Sequence, residues 1–374
     1  MKNKIELLAP AGNRDAAIAA ISNGADAIYL GLSSFSARAY AANFNYDNLK
    51  EIVNYAHLRM VNVYVTMNTI LYENEIEEAL TAVDEIAEIG VDAVIVQDLA
   101  LVSYINTYYP SLEVHISTQV GIDDLEGIVT MESIGAKRVV LAREVNLEKI
   151  KHIKEFSNMP LEVFGHGALC VSYSGNCLMS GLIGMRSGNR GRCVGACRKL
   201  YSLCDVTNNH PFEKTYLLST KDLKTIDRLD DLLPYVSSLK IEGRMKSPFY
   251  VATVVNAYRR ALDALYNGTL TQNLVQTLNS ELDKASHREY TTGFYYHEEE
   301  SRQYYNDSKA VEEYKFIAVV KQVLDGKIVV EQRNRFVVGD CLETRNFPPK
   351  TLLSGRFPTK RATPFRWQTG YSKF

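Results

Sequence analysis

GADAIYLG at 24–31, GVDAVIVQD at 90–98 and GAKRVVLAR at 135–143 repeat one pattern: a glycine, a short aliphatic or β-branched run, and a polar or glycine end. The stretch EIEEALTAVDEIAEIG before the second copy sets Ile76, Leu80, Val83 and Ile86 at helical spacing. Further strands are expected at 5–10 (IELLAP), 61–68 (VNVYVTMN), 113–119 (EVHISTQ), 161–167 (LEVFGHG) and 237–244 (SSLKIEGR). Strands alternating with helices, and mostly apolar, predict a parallel sheet covered by helices. Eight of them suit a closed TIM-like (β/α) barrel better than an open sheet. YLLS at 216–219 also reads as a strand, so the identity of the eighth strand stays open. No glycine-rich dinucleotide fingerprint or Walker loop follows the first strand.

A barrel of this kind works at the carboxyl ends of its strands. Here those ends carry Asn68, Gln97, Asp98, Gln119, Arg143, Glu144, His166, Lys240, Glu242 and Arg244. Loops are polar anyway, so any one of these residues alone carries little weight. Their convergence on one rim carries more. His166, Glu242 and Arg244 are the candidates for catalysis or substrate binding, weighed against ordinary structural salt bridges and hydrogen bonds.

Directly after the seventh strand comes GHGALCVSYSGNCLMSGLIGMRSGNRGRCVGACRKLY, residues 165–201. It packs Cys170, Cys177, Cys193 and Cys197 into 28 residues, and only Cys204 and Cys341 lie elsewhere. Four thiolates can close a coordination sphere. The spacing C-x6-C-x15-C-x3-C is looser than the C-x2-C knuckles of structural zinc sites. An iron–sulfur site is the favoured reading, with zinc and with buried thiols or disulfides left open. Arg186, Arg190, Arg192, Arg198 and Lys199 surround the cysteines, with no acid between Met185 and Lys199. They either offset the charge of a thiolate-ligated cluster or form an anion site for RNA phosphates or a carboxylate substrate.

Residues 1–12, MKNKIELLAPAG, do not read as a secretory signal, being interrupted by Glu6, Pro10 and Gly12. No window approaches the roughly 18 uninterrupted apolar residues of a membrane span. A cytoplasmic protein without membrane attachment is therefore expected, in a compartment where thiols stay reduced. The formal charge of −2 gives no global attraction to nucleic acid, so any such contact must come from local patches.

The barrel is expected over 1–267, with the cysteine-rich insertion at about 166–213 and a helical connector over 268–312. Strand alternation in KFIAVVKQVLDGKIVVEQRNRFVVGDCLE, with a hairpin turn at Asp325-Gly326, predicts a small antiparallel β-domain over 313–344. Tyr290, Phe294, Tyr295 and Tyr296 are of a type that stacks bases, although packing is the commoner role. Residues 345–374 hold seven Lys or Arg, four prolines and no acid. They read as a basic, disordered tail: either a flexible RNA-binding arm or, preferably, a divergent or frame-shifted end to an incomplete β-domain.

Several of these motifs together resemble the collagenase-like peptidase family U32: EVFGHGALCVSYSGNCLMS, NRGRCVGACRKLY, LLSTKDL, SSLKIEGRMKSPFYVATVVNAYRRALD, the opening LAPAGNRDAAIAAISNGADAIYLG and the later REYTTGF. The resemblance implies a β/α barrel with a [4Fe–4S] cluster on Cys170, Cys177, Cys193 and Cys197. It further implies oxygen-independent hydroxylation, most similar to the branch that makes 5-hydroxyuridine at the tRNA wobble position with prephenate as co-substrate. A paralogous partner subunit is compatible with it. The alternatives are the peptidase of the family's name and a non-catalytic iron–sulfur partner. No H-E-x-x-H and no G-x-S-x-G elbow supports proteolysis.

Overall fold

The computed structural model describes residues 4–205, 207, 210–211, 213–296, 302–308, 314, 317–324, 327–337, 340 and 372–373. The chain divides into two units, residues 1–311 and 312–374. In the first unit, β1 (Glu6–Pro10), β2 (Ala27–Gly31), β3 (Asn62–Met67), β4 (Ala93–Val96), β5 (Glu113–Ile116), β6 (Arg138–Val140), β7 (Leu161–Ala168) and β8 (Ser238–Ile241) run parallel. Each pairs with the next, and β8 also pairs with β1, so the sheet closes into a TIM-like barrel. These are the eight strands expected from the sequence. YLLS at 216–219 contains a turn and no strand. Asp222–Lys224 instead pairs antiparallel with β7, outside the closed ring, and then with Tyr290–Thr291.

The repeated glycines have a common cause. Gly24, Gly90 and Gly135 all have positive φ, between 85° and 94°, where the chain leaves a helix and turns into the next strand. The helices around the barrel include α1 (Arg14–Ser22), α2 (Tyr46–His57), α3 (Ile76–Ile89), α4 (Leu99–Tyr108), α5 (Leu125–Ser133) and α6 (Leu147–Phe156). Asn13, Asn45, Asp124 and Asn146 cap α1, α2, α5 and α6 by accepting a backbone N–H of the first turn. Asp98, one of the polar strand ends, has the same task and caps α4.

Strand alternation separates two interiors. Leu7, Ala9, Ile28, Leu30, Val63, Val65, Val94 and Val163 face the helices and build the apolar core. The inner face of the barrel carries charged groups beside the small apolar cluster of Leu8, Ala27, Ala93 and Ile95. At its amino end Arg138 bonds both Glu6 and Glu162, Lys240 donates to Glu162 at 2.8 Å, and Tyr64 and Ser238 donate to Glu6. Two acids meet two bases there, so the buried charge balances.

Residues expected as a connector belong to the barrel unit. Tyr295 donates to the Phe164 carbonyl at 2.6 Å, Tyr296 donates to Asp231, and Tyr290 stacks on His287 at 4.2 Å. Packing is thus the role of these aromatics. Helices α7 (Pro248–Tyr266) and α8 (Gln272–Leu282) follow β8. No helix among the described residues is long and apolar enough to cross a membrane.

In the second unit, β9 (Ala318–Leu324) and β10 (Lys327–Gln332) pair antiparallel, and Ser372–Lys373 adds to β10. The Asp325-Gly326 turn, Cys341 and residues 345–371 of the tail lie outside the described residues.

Candidate functional site

The carboxyl mouth of the barrel is lined by Tyr29, Arg38, Thr66, Arg143, Glu242 and Arg244, among others. Arg38 comes from the loop after β2, Arg143 from the end of β6, and Glu242 and Arg244 from the end of β8. Glu242 accepts from Arg143 at 2.9 Å and from Arg38 at 3.1 Å. Arg244 is buried and donates to the Ser36 and Thr66 hydroxyls at 2.7 and 3.0 Å. Arg143 also lies over the Phe164 ring, 3.9 Å from its centroid.

Two guanidiniums thus share one carboxylate with a third beside them, a surplus of two positive charges. Lys240 also lines the mouth, but Glu162 already neutralises it. Burial would raise the Glu242 carboxyl, yet Arg38, Arg143 and Arg244 outweigh burial and hold it down at about 2. Burial first, and Arg38 second, pull Arg244 down to about 10. A confined site with excess positive charge, whose buried arginine donates to hydroxyls and, among the described residues, to no carboxylate, favours an anion.

His166 does not join this group. Phe164 pairs with Lys240 and His166 pairs with Ile241, so Gly165 is an extra residue in β7. One extra residue reverses the facing of everything after it. His166 therefore turns outward and is buried against Tyr250, Tyr258 and Tyr290, with Nδ1 3.4 Å from the Tyr258 hydroxyl. Burial, with Lys224 and His287 nearby, lowers it to about 3. Glu242 and Arg244 share the mouth, whereas His166 stands behind its wall.

The cysteine segment follows β7 and is held against the mouth by close backbone contacts. Gly191, at φ 77°, accepts the Ala39 amide at 3.2 Å, and a Cβ there would sit 2.3 Å from the Ser36 carbonyl oxygen. Gly175 likewise packs on the Gln119 carbonyl, and Ser174 accepts the Arg143 amide at 3.1 Å. Arg198 is committed to the fold, donating to the Leu169 and Thr220 carbonyls. Arg190 bonds Glu75 and the Ile70 carbonyl, and Arg186 donates to the Tyr40 hydroxyl. Arg192 and Lys199 are exposed, and their side chains make no hydrogen bond among the described residues. Gly191→Ala is expected to cost about 1–3 kcal/mol, since the new methyl group meets backbone and φ is positive. A lower melting temperature, with faster trypsin cleavage at Arg186–Lys199, would register it.

Cys170, Cys177, Cys193, Cys197 and Cys204 form no disulfide among the described residues. Burial raises the Cys197 thiol, Arg198 lowers it, and Cys170, Cys193 and Cys177 each raise it again. The other three cysteines of the motif are therefore within electrostatic reach of Cys197. Cys170 and Cys193 also act on Arg38, which ties the cysteines to the mouth. The Gly195 amide and Ser180 hydroxyl donate to the Cys193 sulfur at 3.4 and 3.5 Å. Among the described residues no three of His, Cys, Asp or Glu are gathered as ligands of a single metal ion. Zinc would draw four sulfurs to about 2.3 Å of one centre, whereas a cubane spreads its thiolates over separate corners. Four thiolates are the donor chemistry that such a cubane takes, so these residues fit the group by type.

The fold and mouth define a β/α-barrel enzyme with a cysteine-bearing segment at its working end. The chain belongs to peptidase family U32, whose model matches residues 12–304. It is 41% identical over 266 residues to the 23S rRNA 5-hydroxycytidine C2501 synthase of Escherichia coli, covering 70% of this chain and 40% of that protein. It is 32% identical over 354 residues to tRNA hydroxylation protein P1 of Bacillus subtilis, covering 91% of this chain and 83% of that one. A protein named collagenase from Porphyromonas gingivalis is 33% identical over 308 residues, with 78% and 74% covered. The family thus includes proteins named for hydroxylating nucleic acid.

Proposed function

We propose that this protein hydroxylates the wobble uridine of tRNA to 5-hydroxyuridine without oxygen, using a [4Fe–4S] cluster and prephenate. The observation that carries the reading is the surplus of two positive charges in the mouth, from Arg38, Arg143 and Arg244 around Glu242, beside the four cysteines. Prephenate carries two carboxylates, which that surplus would balance. Cys170, Cys177, Cys193 and Cys197 would hold the cluster, which supplies one-electron chemistry when bound. Arg143 and Arg244 would bind the carboxylates, and Tyr29 stays protonated because burial raises it far above its ordinary value. Glu242 is too weak a base for proton transfer near neutrality, and serves as the counter-charge that orients Arg38 and Arg143.

Proteolysis is the second reading, favoured by the family's name and the collagenase-named relative. The mouth offers it little: no histidine lines the cavity beside Ser117, Thr118 or Thr66. Nucleoside analysis of tRNA from a deletion strain lacking any paralogue decides between them. The 5-hydroxyuridine derivatives should disappear. Normal levels would reject hydroxylation, and cleavage of collagen peptides by metal-free protein would favour the peptidase.

A further inference from the structure

A second cavity, of about 180 Å³, opens on the rim beside the mouth. Its walls come from the loop after β2 (Ser33, Ser34, Phe35, Ser36), from Glu75 and Glu78 near the start of α3, and from Arg190 and Arg192 of the cysteine segment. Ser36 is the partition between the two spaces. It lines this cavity, and its hydroxyl receives Arg244 from the mouth side. Whatever fills the cavity is therefore a neighbour of whatever fills the mouth.

The chemistry of the walls differs from that of the mouth. Two carboxylates face two guanidiniums, so there is no net charge to hold a bare anion. Glu75 and Arg190 satisfy each other, and Arg190 lies 4.1 Å from the centroid of the Tyr72 ring, which fixes that wall. Glu78 and Arg192 are exposed, and among the described residues neither side chain makes a hydrogen bond or ion pair. One is a pure acceptor and the other a pure donor. Phe35 adds an aromatic surface from a left-handed backbone, φ 60°, which is costly for a bulky residue and concentrates at functional sites. The volume is below the roughly 300–1,000 Å³ of a drug-sized pocket. It suits one flat group with donors and acceptors on its edge.

We propose that this cavity receives the base of one unpaired RNA nucleotide flanking the residue at the mouth, with Glu78 reading the base edge, Phe35 stacking on it and Arg192 holding its phosphate. The inference rests on the reading of the protein as an RNA-modifying enzyme. It makes the rim, rather than the mouth, the place where the neighbouring sequence is selected. Arginine and carboxylate side chains are the usual partners of base edges, and every base offers a face to an aromatic ring.

The test uses anaerobically prepared full-length protein and a fluorescein-labelled anticodon stem–loop RNA, with E78Q and R192A as variants. Both side chains are exposed, so the fold should tolerate the changes. R192A should weaken binding for every flanking sequence and reduce the slope of log affinity against log salt by about 0.7, the loss of one phosphate contact. E78Q should leave the slope unchanged and weaken binding about tenfold for some flanking bases and not others. A photoreactive thiouridine next to the target should cross-link to residues 33–36. If the parent protein binds the RNA and both variants bind equally well, with cross-links only elsewhere, the rim site is wrong while the enzymatic reading survives. If the parent binds no RNA, that reading fails and the rim site falls with it.

Discussion

Glu242→Gln is expected to lower stability by about 3–5 kcal/mol at neutral pH, because it keeps the side chain's shape and removes the carboxylate shared by Arg38 and Arg143. Those two cations, and Arg244 beside them, would then face one another with no counter-charge. The pH dependence gives the effect a signature. The folded Glu242 carboxyl sits at about 2, below its ordinary 4.5, so its contribution is fully present above the ordinary value. As pH falls from about 4.5 towards 2 the wild-type protein takes up the proton and loses that contribution, while the variant has none to lose. Urea melts should show the two proteins far apart at pH 7 and converging near pH 2. Equal stability at pH 7 would mean that the arginines do not depend on this carboxylate.

The barrel was legible because its signals are local and repeated. A glycine that must be left-handed after each helix, then an apolar strand, is a pattern that one sequence displays several times. The charged interior was harder to see. Glu6, Arg138, Glu162 and Lys240 stand at single alternate positions of otherwise apolar strands, and their balance appears only when four distant strands close a ring. Arg38 was missed altogether, since it lies in a loop and only the fold brings it to Glu242, 204 positions away. Arg143 was noticed as a polar strand end, but nothing local says that it shares a carboxylate with Arg38. As a polar residue at the end of the seventh strand, His166 reads as part of the rim. The extra residue at Gly165 reverses its facing, and such irregularities leave little trace in sequence. The five basic residues near the cysteines looked equivalent, yet Arg198 and Arg190 are consumed by backbone and acid partners while Arg192 and Lys199 are not.

Replacing any one of Cys170, Cys177, Cys193 or Cys197 by Ser should abolish the broad visible absorbance of anaerobically purified protein, with loss of iron and acid-labile sulfide. Cys204→Ser should leave both in place, because Cys204 lies beyond the motif, in a short hairpin strand of its own. The expectation follows from the donor type and from the position of the other three thiols, each of which acts on Cys197. Stoichiometric zinc without sulfide in the anaerobic protein would overturn the cluster assignment. Retention of iron and sulfide by all four serine variants would overturn the ligand set alone.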